Sequence, residues 1–381
     1  MEKLVAQMRT VTPVFCAGAL PKEVKKAEIR PLSIRGALRW WYRALDPEFV
    51  QFEPKVFGAT TGEGQSSPVR LTVKPWLSGE KDYREQLRPD RARDNGAAYL
   101  GYTLYLHPND RRAVPEGEEF ETVLSWQWLP NDSDAQRARR AWAAALWLFG
   151  HLGGLGTRAR RGFGTIALQS WSGWPECDEL PPAHGATTPA EWKQKFDAGF
   201  RKIRQWFPAS EQQLSRFRHQ HLPATFNLVL SGIPAPRDVA AVLRIDASRN
   251  WLECLHVAGT NFQTFRADNE IHKPEFLAAF GLPIKFRNGE AWRLRRPPEP
   301  GESKDRFWER SASRIHFRVV QFGKDCHCLV WRAHGPLAPH DPILLETRPQ
   351  RNDPRPVKKR TYDRRSDELL RKFLEHFATG D

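Results

Sequence analysis

The alternation of apolar and polar residues predicts that the first half of the chain is rich in strands. The predicted strands lie at residues 3–9, 68–74, 98–106, 120–127 and 164–169. Gly- and Pro-bearing segments separate several of them, as is typical of loops. We therefore expect a folded domain with at least one sheet in this half.

Two apolar stripes at helical spacing predict two amphipathic helices between these strands. The first stripe consists of Ile34, Leu38, Trp41 and Leu45. The second consists of Trp142, Ala145, Leu146, Phe149 and Leu152. We expect the first helix to start at Ser33 as its N-cap and to end before Pro47, and the second to end at Gly153.

The order of elements in this half is strand, helix, strands, helix, strand. This is the βαββαβ order of a ferredoxin-like domain with room for an added strand, so the predicted fold class is α+β. The domain is expected to span residues 1–171, followed by a connector at 172–222 and a second domain at 223–381. A fold of this kind does not by itself specify a function.

The second half gives weaker patterns. A helix is predicted from the aromatic stripe between Trp192 and Phe207, and it belongs to the connector. The further predicted elements are strands at 225–231, 313–320 and 326–332 and helices at 237–247 and 367–377. In the strand at 313–320, alternation places Ile315 on an apolar face and Arg318 on a polar one. The segment 347–365 is rich in Lys, Arg and Pro and is expected to be mobile.

Composition adds a strong basic bias to this picture. The 381 residues contain 59 Lys and Arg against 45 Asp and Glu, for a net charge of +14. The longest apolar run, residues 142–150, is too short for a membrane span, and the N-terminus has no apolar signal segment. The five cysteines follow no disulfide framework. We expect a cytoplasmic protein without a membrane association, and the charge favours a polyanionic partner.

The first basic stretch is on the first predicted helix. Arg35, Arg39 and Arg43 are four residues apart and therefore share one helical face, with no acidic residue in the interval. Like charges at this spacing repel, so an external phosphate chain is expected to compensate them; the alternative is a solvated basic face. The candidate binding residues here are Arg30, Ser33, Arg35, Gly36, Arg39 and Arg43.

The second basic stretch is a short Gly-rich loop between the second helix and the last strand. Backbone N–H groups near Gly can form an anion-binding concavity, and Arg can pair with phosphate oxygens in a forked geometry. Such a loop is suited to a sugar-phosphate backbone and not to base recognition. Its candidate binding residues are Gly154, Gly156, Arg158, Arg160, Arg161, Gly162 and Gly164. The alternative is a flexible turn with arginines facing solvent.

These stretches resemble known motifs. The pattern Gly-x-Gly, five residues, Gly-Phe-Gly resembles the glycine-rich loop of the RAMP superfamily of CRISPR-associated proteins. Further segments narrow the resemblance to the first subunit of the Cmr (type III-B) RNA-targeting effector complex. These segments are residues 12–15 with Gly18, 31–41, 56–58, 64–68, 280–284 and 310–316.

The resemblance implies two ferredoxin-like RAMP domains in tandem and a non-catalytic subunit without a cofactor. The implied partners are the 3′ region of the CRISPR RNA, the 5′ end of the target RNA, and other Cmr subunits. The two basic stretches would then grip the RNA backbone. Trp40 departs from the predicted core stripe, so it is expected to stack on a base, to contact a neighbouring subunit, or to fill the core.

An enzymatic alternative remains open at this point. Some RAMP relatives are metal-independent ribonucleases that use a His, and His151 lies beside the Gly-rich loop. The competing interpretation is that His151 lies at a helix C-terminus and interacts there with the helix dipole. The pairs Cys254 with His256 and Cys326 with Cys328 have a zinc-like appearance, but their spacing is not that of common zinc sites. Buried cysteines and no metal site are therefore expected.

Overall fold

The computed structural model shows a mixed helix and sheet protein with antiparallel sheets, so the α+β prediction is confirmed. The residues it describes are 2–18, 25–60, 64–88, 95–102, 104–105, 111–208, 226–230, 248–269, 273–280, 284–285, 291–296, 306–308, 313–333, 344–347, 356–361 and 365–379. Within these ranges, no helix is long and apolar enough to cross a membrane.

The elements are numbered in chain order. Up to residue 208 they are β1 Lys3–Thr10, β2 Ala27–Ile29, α1 Pro31–Leu45, α2 Phe49–Phe57, β3 Val69–Lys74, β4 Leu77–Gly79, α3 Arg84–Leu87, α4 Gly96–Leu100, β5 Glu119–Trp126, α5 Asp132–Leu152, β6 Ile166–Ser172, α6 Glu176–Glu179 and α7 Pro189–Trp206. After it they are β7 Phe226–Leu230, α8 Trp251–Asp268, α9 Pro274–Leu277, a 3₁₀ turn Ala278–Phe280, β8 Ile284–Lys285, β9 Ala291–Arg296, β10 Arg306–Trp308, β11 Ile315–Phe322, β12 Asp325–Ala333, β13 Leu344–Thr347, β14 Lys359–Thr361 and α10 Arg365–Thr379.

The first sheet has the strand order β3-β5-β1-β6, and neighbouring strands are antiparallel. In its register Met8 lies opposite Phe120 on one side and Leu168 on the other. Every second residue of β1 is buried, which is the period-2 pattern seen in the sequence. Helix α5 lies close against β6, because a Cβ atom on Gly150 would come within 2.3 Å of the Leu168 side chain.

Helix α1 buries the predicted stripe, but it starts three residues earlier than predicted. Arg30 is the N-cap and Pro31 is the first helical residue, so the assignment of Ser33 as N-cap was wrong. Proline fits the first helical position because it lacks the N–H group that would have no helical acceptor there. Helix α5 was predicted correctly and ends at Gly153.

The predicted strand at 98–106 was wrong, since Gly96–Leu100 is the short helix α4. The Asn95 side chain accepts a hydrogen bond from the Ala98 amide at 3.0 Å and caps the helix. The backbone of Gly96 lies against that of Gly259 in α8, so close that a Cβ on either residue would clash. A short apolar run is ambiguous between helix and strand, and this tertiary contact favours the helix.

Residues after β6 pack against the same core as α5. The predicted helix in this region is α7, and its side chains Trp192, Phe196 and Ile203 are buried in that core. The domain boundaries at 171 and 222 remain a prediction.

The later part of the chain contains the sheet β11-β12-β7 and a second sheet formed by β8, β9, β10, β13 and β14. The predicted strands at 225–231, 313–320 and 326–332 and the final helix are confirmed. The predicted polar face of β11 was wrong, because His316 and Arg318 are buried at 6% and 3% exposure. Part of the expected mobile segment, Lys359–Thr361, is instead a strand paired with β13, and its residues are exposed. The predicted helix at 237–247 lies outside the described residues.

Candidate nucleic-acid interface

The segment Phe15 to Cys16 connects the two basic stretches. The Thr157 amide in the Gly-rich loop donates to the Phe15 carbonyl at 2.8 Å. On the other side, the Cys16 thiol lies 3.7 Å from the Ser33 hydroxyl in the first turn of α1. The start of α1 and the Gly-rich loop, more than 100 residues apart in sequence, are therefore neighbours in the fold.

The Gly-rich loop is a compact turn and not an open chain. The backbone amide of Leu155 donates to the Gly164 carbonyl at 2.9 Å, and the backbone amide of Arg161 donates to the Arg158 carbonyl at 2.7 Å. Gly156 has φ +83°, and a Cβ there would meet the Phe15 carbonyl oxygen at 2.4 Å. Glycine is therefore required at position 156, because the loop approaches the Phe15 segment closely there.

Arg161 in this loop points into the protein, contrary to both interpretations of the sequence. It donates to the Phe280 carbonyl at 3.0 Å, and its guanidinium lies over the rings of Phe262 and Phe317 at 5.2 and 5.7 Å. Burial lowers the pKa of Arg161 to about 10, so it remains charged at neutral pH. Because its contacts are with the later part of the chain, Arg161 anchors the loop.

Arg160 differs from its neighbour. Its backbone carbonyl accepts a hydrogen bond from the Phe317 amide at 3.1 Å. Its guanidinium is half-buried and has no hydrogen-bond or ion-pair partner among the described residues. Arg158 is also half-buried, and its φ of +68° places its backbone in the left-handed region. These two side chains remain candidates for contact with a ligand.

Two of the three arginines on α1 are paired within the protein. Glu53 on α2 accepts from Arg39 Nε at 2.8 Å and from Arg43 Nη2 at 2.6 Å. Desolvation raises the pKa of Glu53, but the hydrogen bonds from Arg43 and Arg39 outweigh it and hold that pKa below its ordinary value. For Arg39 and Arg43, the compensating charge that was expected from a phosphate chain is therefore supplied by a carboxylate of the next helix.

Arg35 donates to the Phe57 carbonyl at the end of α2. This contact uses one nitrogen of the guanidinium and brings no negative charge. Burial is the main cause of the lowered pKa of Arg35, and the nearby Arg39 charge adds to it. The positive charge of Arg35 is thus the least compensated of the three.

The exposed surface of this region is the first turn of α1 together with Gly156. The α1 N-terminus carries no acidic residue in its first turn and no side-chain cap. Leu32 is 72% exposed, and a Cβ on Gly36 would meet nothing within 4 Å. The positive end of a helix dipole is therefore accessible beside Arg30.

Trp40 is half-buried at the edge of the core. Its ring packs edge-on against Trp41 with 4.8 Å between ring centroids. This contact agrees with the alternative in which Trp40 fills part of the core. Stacking of Trp40 on a base, or its contact with a neighbouring subunit, stays a prediction.

Arg111 lies outside both basic stretches, yet it reaches the Gly-rich loop. Its Nη1 atom donates to the Thr157 hydroxyl at 2.8 Å. The adjacent Arg112 instead forms an ion pair with Asp82. The two arginines follow Asn109 and Asp110 without a periodic pattern, so no sequence signal distinguishes one from the other.

His151 is placed as a core residue. It is 3% exposed, stacks on Trp147, and has Nδ1 2.6 Å from the Trp147 carbonyl. Its Nε2 accepts from the Ala183 amide at 2.9 Å. Burial lowers its pKa to about 3, so the ring is neutral. Both ring nitrogens are engaged within the protein, which does not favour His151 as a general acid or base.

The cysteines form no disulfide, and all five are free thiols. Cys254 lies on helix α8 and not on a strand, so the strand spacing considered for Cys254 and His256 does not apply. Cys254, Cys326 and Cys328 are buried together in the core of the later part. The Cys328 hydrogen bond and burial raise the pKa of Cys254. Across the described ranges, no group of three or more His, Cys, Asp or Glu is placed to hold a metal ion.

Comparison with known proteins gives matches to the part of the chain that contains these residues. Residues 7–167 match the model of the RAMP superfamily. The chain is 27% identical to the CRISPR system Cmr subunit Cmr1-2 of Pyrococcus furiosus over 184 residues. This alignment covers 44% of this chain and 96% of the relative. It is 28% identical to the CRISPR system Cmr subunit Cmr1-1 of the same organism over 173 residues, in an alignment that covers 42% of this chain and 46% of that relative.

Solved structures give the same result for the fold. The crystal structure of apo Cmr1 from Pyrococcus furiosus matches with a TM-score of 0.57 at 18% identity, over 88% of this chain and 89% of the other. A chain in the cryo-EM structure of the type III-B Cmr-beta complex bound to cognate target RNA matches with a TM-score of 0.58 at 12% identity, over 100% of this chain and 99% of the other. Both motifs of the interface lie within the matched residues 7–167. Residues 7–167 of the chain thus resemble the RAMP superfamily, and the resemblance to the first subunit of Cmr complexes is confirmed.

Proposed function

We propose that this chain is a non-catalytic RNA-binding subunit of a type III-B CRISPR effector complex. It grips the 3′ region of the CRISPR RNA, the 5′ end of the target RNA, or both. The observation that carries the proposal is that the α1 N-terminus and the Gly-rich loop meet at Phe15 and Cys16. Its relatives are named as Cmr subunits, and a matched complex contains target RNA.

The chemistry of the surface is suited to a phosphate backbone. The dipole of a helix N-terminus favours an anion, and Arg30, Arg35 and Arg160 add charges that no carboxylate pairs among the described residues. Contacts of this kind position RNA without reading its bases. We therefore assign sequence-independent binding to this surface, in the cytoplasm and together with other Cmr subunits.

The architecture also supports a finer assignment of the fold. The order β3-β5-β1-β6, with α1 after β1 and α5 before β6, is that expected for a ferredoxin-like domain. We extend this to a tandem arrangement with a second domain of the same kind in residues 223–381. The connector between them at 172–222 includes α7.

The absence of catalysis is part of the proposal. His151, which the ribonuclease alternative requires, is neutral and buried with both ring nitrogens engaged. Cleavage of RNA in such a complex then belongs to other subunits. Incubation of the purified chain with repeat RNA without metal tests this point, and cleavage abolished by His151→Gln would contradict it.

The RNA-binding proposal is tested with the variant carrying Arg30→Ala and Arg160→Ala. Binding of a fluorescently labelled single-stranded RNA of mixed sequence is titrated over a range of salt concentrations. Removal of one phosphate-binding charge lowers the slope of log K against log salt by about 0.7 for a single strand, so the double variant is expected to lower it by about 1.4. The matched control is Arg70→Ala, an exposed residue on the far edge strand β3. An unchanged slope in the double variant would contradict the proposal.

A further inference from the structure

We infer that Arg111 is a phosphate-binding residue of this RNA surface, added to the Gly-rich loop from a distant part of the chain. The inference rests on the proposed function and extends it to a residue outside both recognised motifs. Arg111 lies before β5, 46 positions from Thr157.

The first argument is the lack of charge compensation. The partner of Arg111 is the neutral Thr157 hydroxyl at 2.8 Å. Among the described residues it has no ion pair, whereas the neighbouring Arg112 and nearby Arg84 both pair with Asp82. A half-buried guanidinium that has lost part of its hydration is stabilised by an anion.

The second argument concerns hydrogen bonding. A guanidinium has five N–H donors in a planar fork that matches a phosphate. The Nε atom of Arg111 is inaccessible to solvent and has no hydrogen-bond partner, and one terminal nitrogen is used by Thr157. The contact with Thr157 therefore fixes the guanidinium while other donors remain for a phosphate oxygen.

The third argument is location. Thr157 follows the exposed Gly156, and its amide donates to Phe15, the segment that also contacts the start of α1. Arg111 thus contacts the residue through which the loop is bonded to the Phe15 segment, beside the surface proposed to bind RNA. A phosphate held there would continue the backbone track from the α1 N-terminus past the loop.

A positioning role through Thr157 is the competing explanation, and matched variants separate the two. Arg111→Ala removes both the charge and the hydrogen bond, Arg111→Lys keeps the charge, and Thr157→Val removes only the hydroxyl. Arg112→Ala is the control, since Asp82 keeps its partner Arg84. All are made in the full chain and checked for folding by urea unfolding.

The readout is the salt dependence of binding to single-stranded RNA of mixed sequence. Arg111→Ala is expected to lower the slope by about 0.7 and the affinity by roughly tenfold. The Arg111→Lys, Thr157→Val and Arg112→Ala variants are expected to keep the wild-type slope.

Each other outcome overturns the inference in an identifiable way. If Thr157→Val behaves as Arg111→Ala does and Arg111→Lys does not restore the slope, Arg111 only positions the loop. If Arg111→Ala binds as the wild type while the Arg30 and Arg160 double variant loses binding, this inference fails and the proposed function stands. If neither variant changes binding, both fail.

Discussion

Arg318 on β11 donates to the carbonyl oxygen of Gly150 near the end of α5, with 2.6 Å between Nη2 and the oxygen. The same nitrogen lies 2.7 Å from the Ile166 carbonyl, and Nη1 donates to the Gly153 carbonyl. Arg318 is 3% exposed, and burial lowers its pKa to about 9. Its charge is met by the negative end of the α5 dipole, which couples β11 to the helix that leads into the Gly-rich loop.

Replacement of Arg318 by Met is expected to destabilise the protein. Three carbonyls lose their donor, and a buried carbonyl without a donor costs about 1–3 kcal/mol, so a loss of at least about 3 kcal/mol in the free energy of unfolding is expected. Urea unfolding measures it. Arg70→Met, at an exposed position, serves as the control and should change stability by less than about 0.5 kcal/mol. Equal stability of the two variants would show that the Arg318 contacts are not formed.

Arg161 and Arg160 are expected to respond differently to replacement by Ala. Arg161 bonds to Phe280 and lies over two rings, so its removal should reduce the free energy of unfolding by about 2–3 kcal/mol. Arg160→Ala should instead weaken RNA binding with a stability change below about 1 kcal/mol. Urea unfolding and RNA titration of both variants measure the difference. The reverse order of effects would restore the assignment of Arg161 as an RNA contact.

Two Gly→Ala variants test the approach of RNA to the surface. Gly156→Ala should be destabilised, because φ is +83° and the new Cβ meets the Phe15 carbonyl. Gly36→Ala should stabilise α1 by about 0.5–1 kcal/mol, since the position is helical and open.

The informative result is the RNA affinity of Gly36→Ala. If the RNA backbone approaches this residue, the more stable variant binds RNA more weakly than the wild type. Thermal unfolding combined with RNA titration measures both quantities. Unchanged affinity with raised stability would remove Gly36 from the binding surface.

The pH dependence of stability should report on His151. Burial is the main cause of its lowered pKa, about 3 against an ordinary 6.5, so the unfolded state takes up a proton first as the pH falls. Stability is therefore highest above pH 6.5 and is lost as the pH falls towards 3. His151→Gln lacks this contribution, so the stability gap between wild type and variant should narrow by about 2 kcal/mol from about pH 7 to about pH 5. A gap that stays constant in urea unfolding would contradict a buried neutral ring.

Much of the first part could be predicted because its cues are local. The stripe containing Leu38 and Trp41 and the alternation in β1 each arise from one element burying one face. The Gly-rich loop could be recognised from its spacing, and residues 7–167 do match the RAMP model. The strand predicted at 98–106 failed because the contact of Gly96 with Gly259 comes from a residue far along the chain.

The main elements around the site, the basic surplus and the family motifs can all be read from the amino-acid chain alone, since they depend on residue periodicity and on short spacings. The role of each arginine, in contrast, follows from the folded arrangement. Glu53 pairs Arg39 and Arg43, and the Phe280 carbonyl holds Arg161 inside the protein. The physical reason is that the compensation of a charge depends on which groups lie within a few ångströms, and those groups come from other elements of the fold.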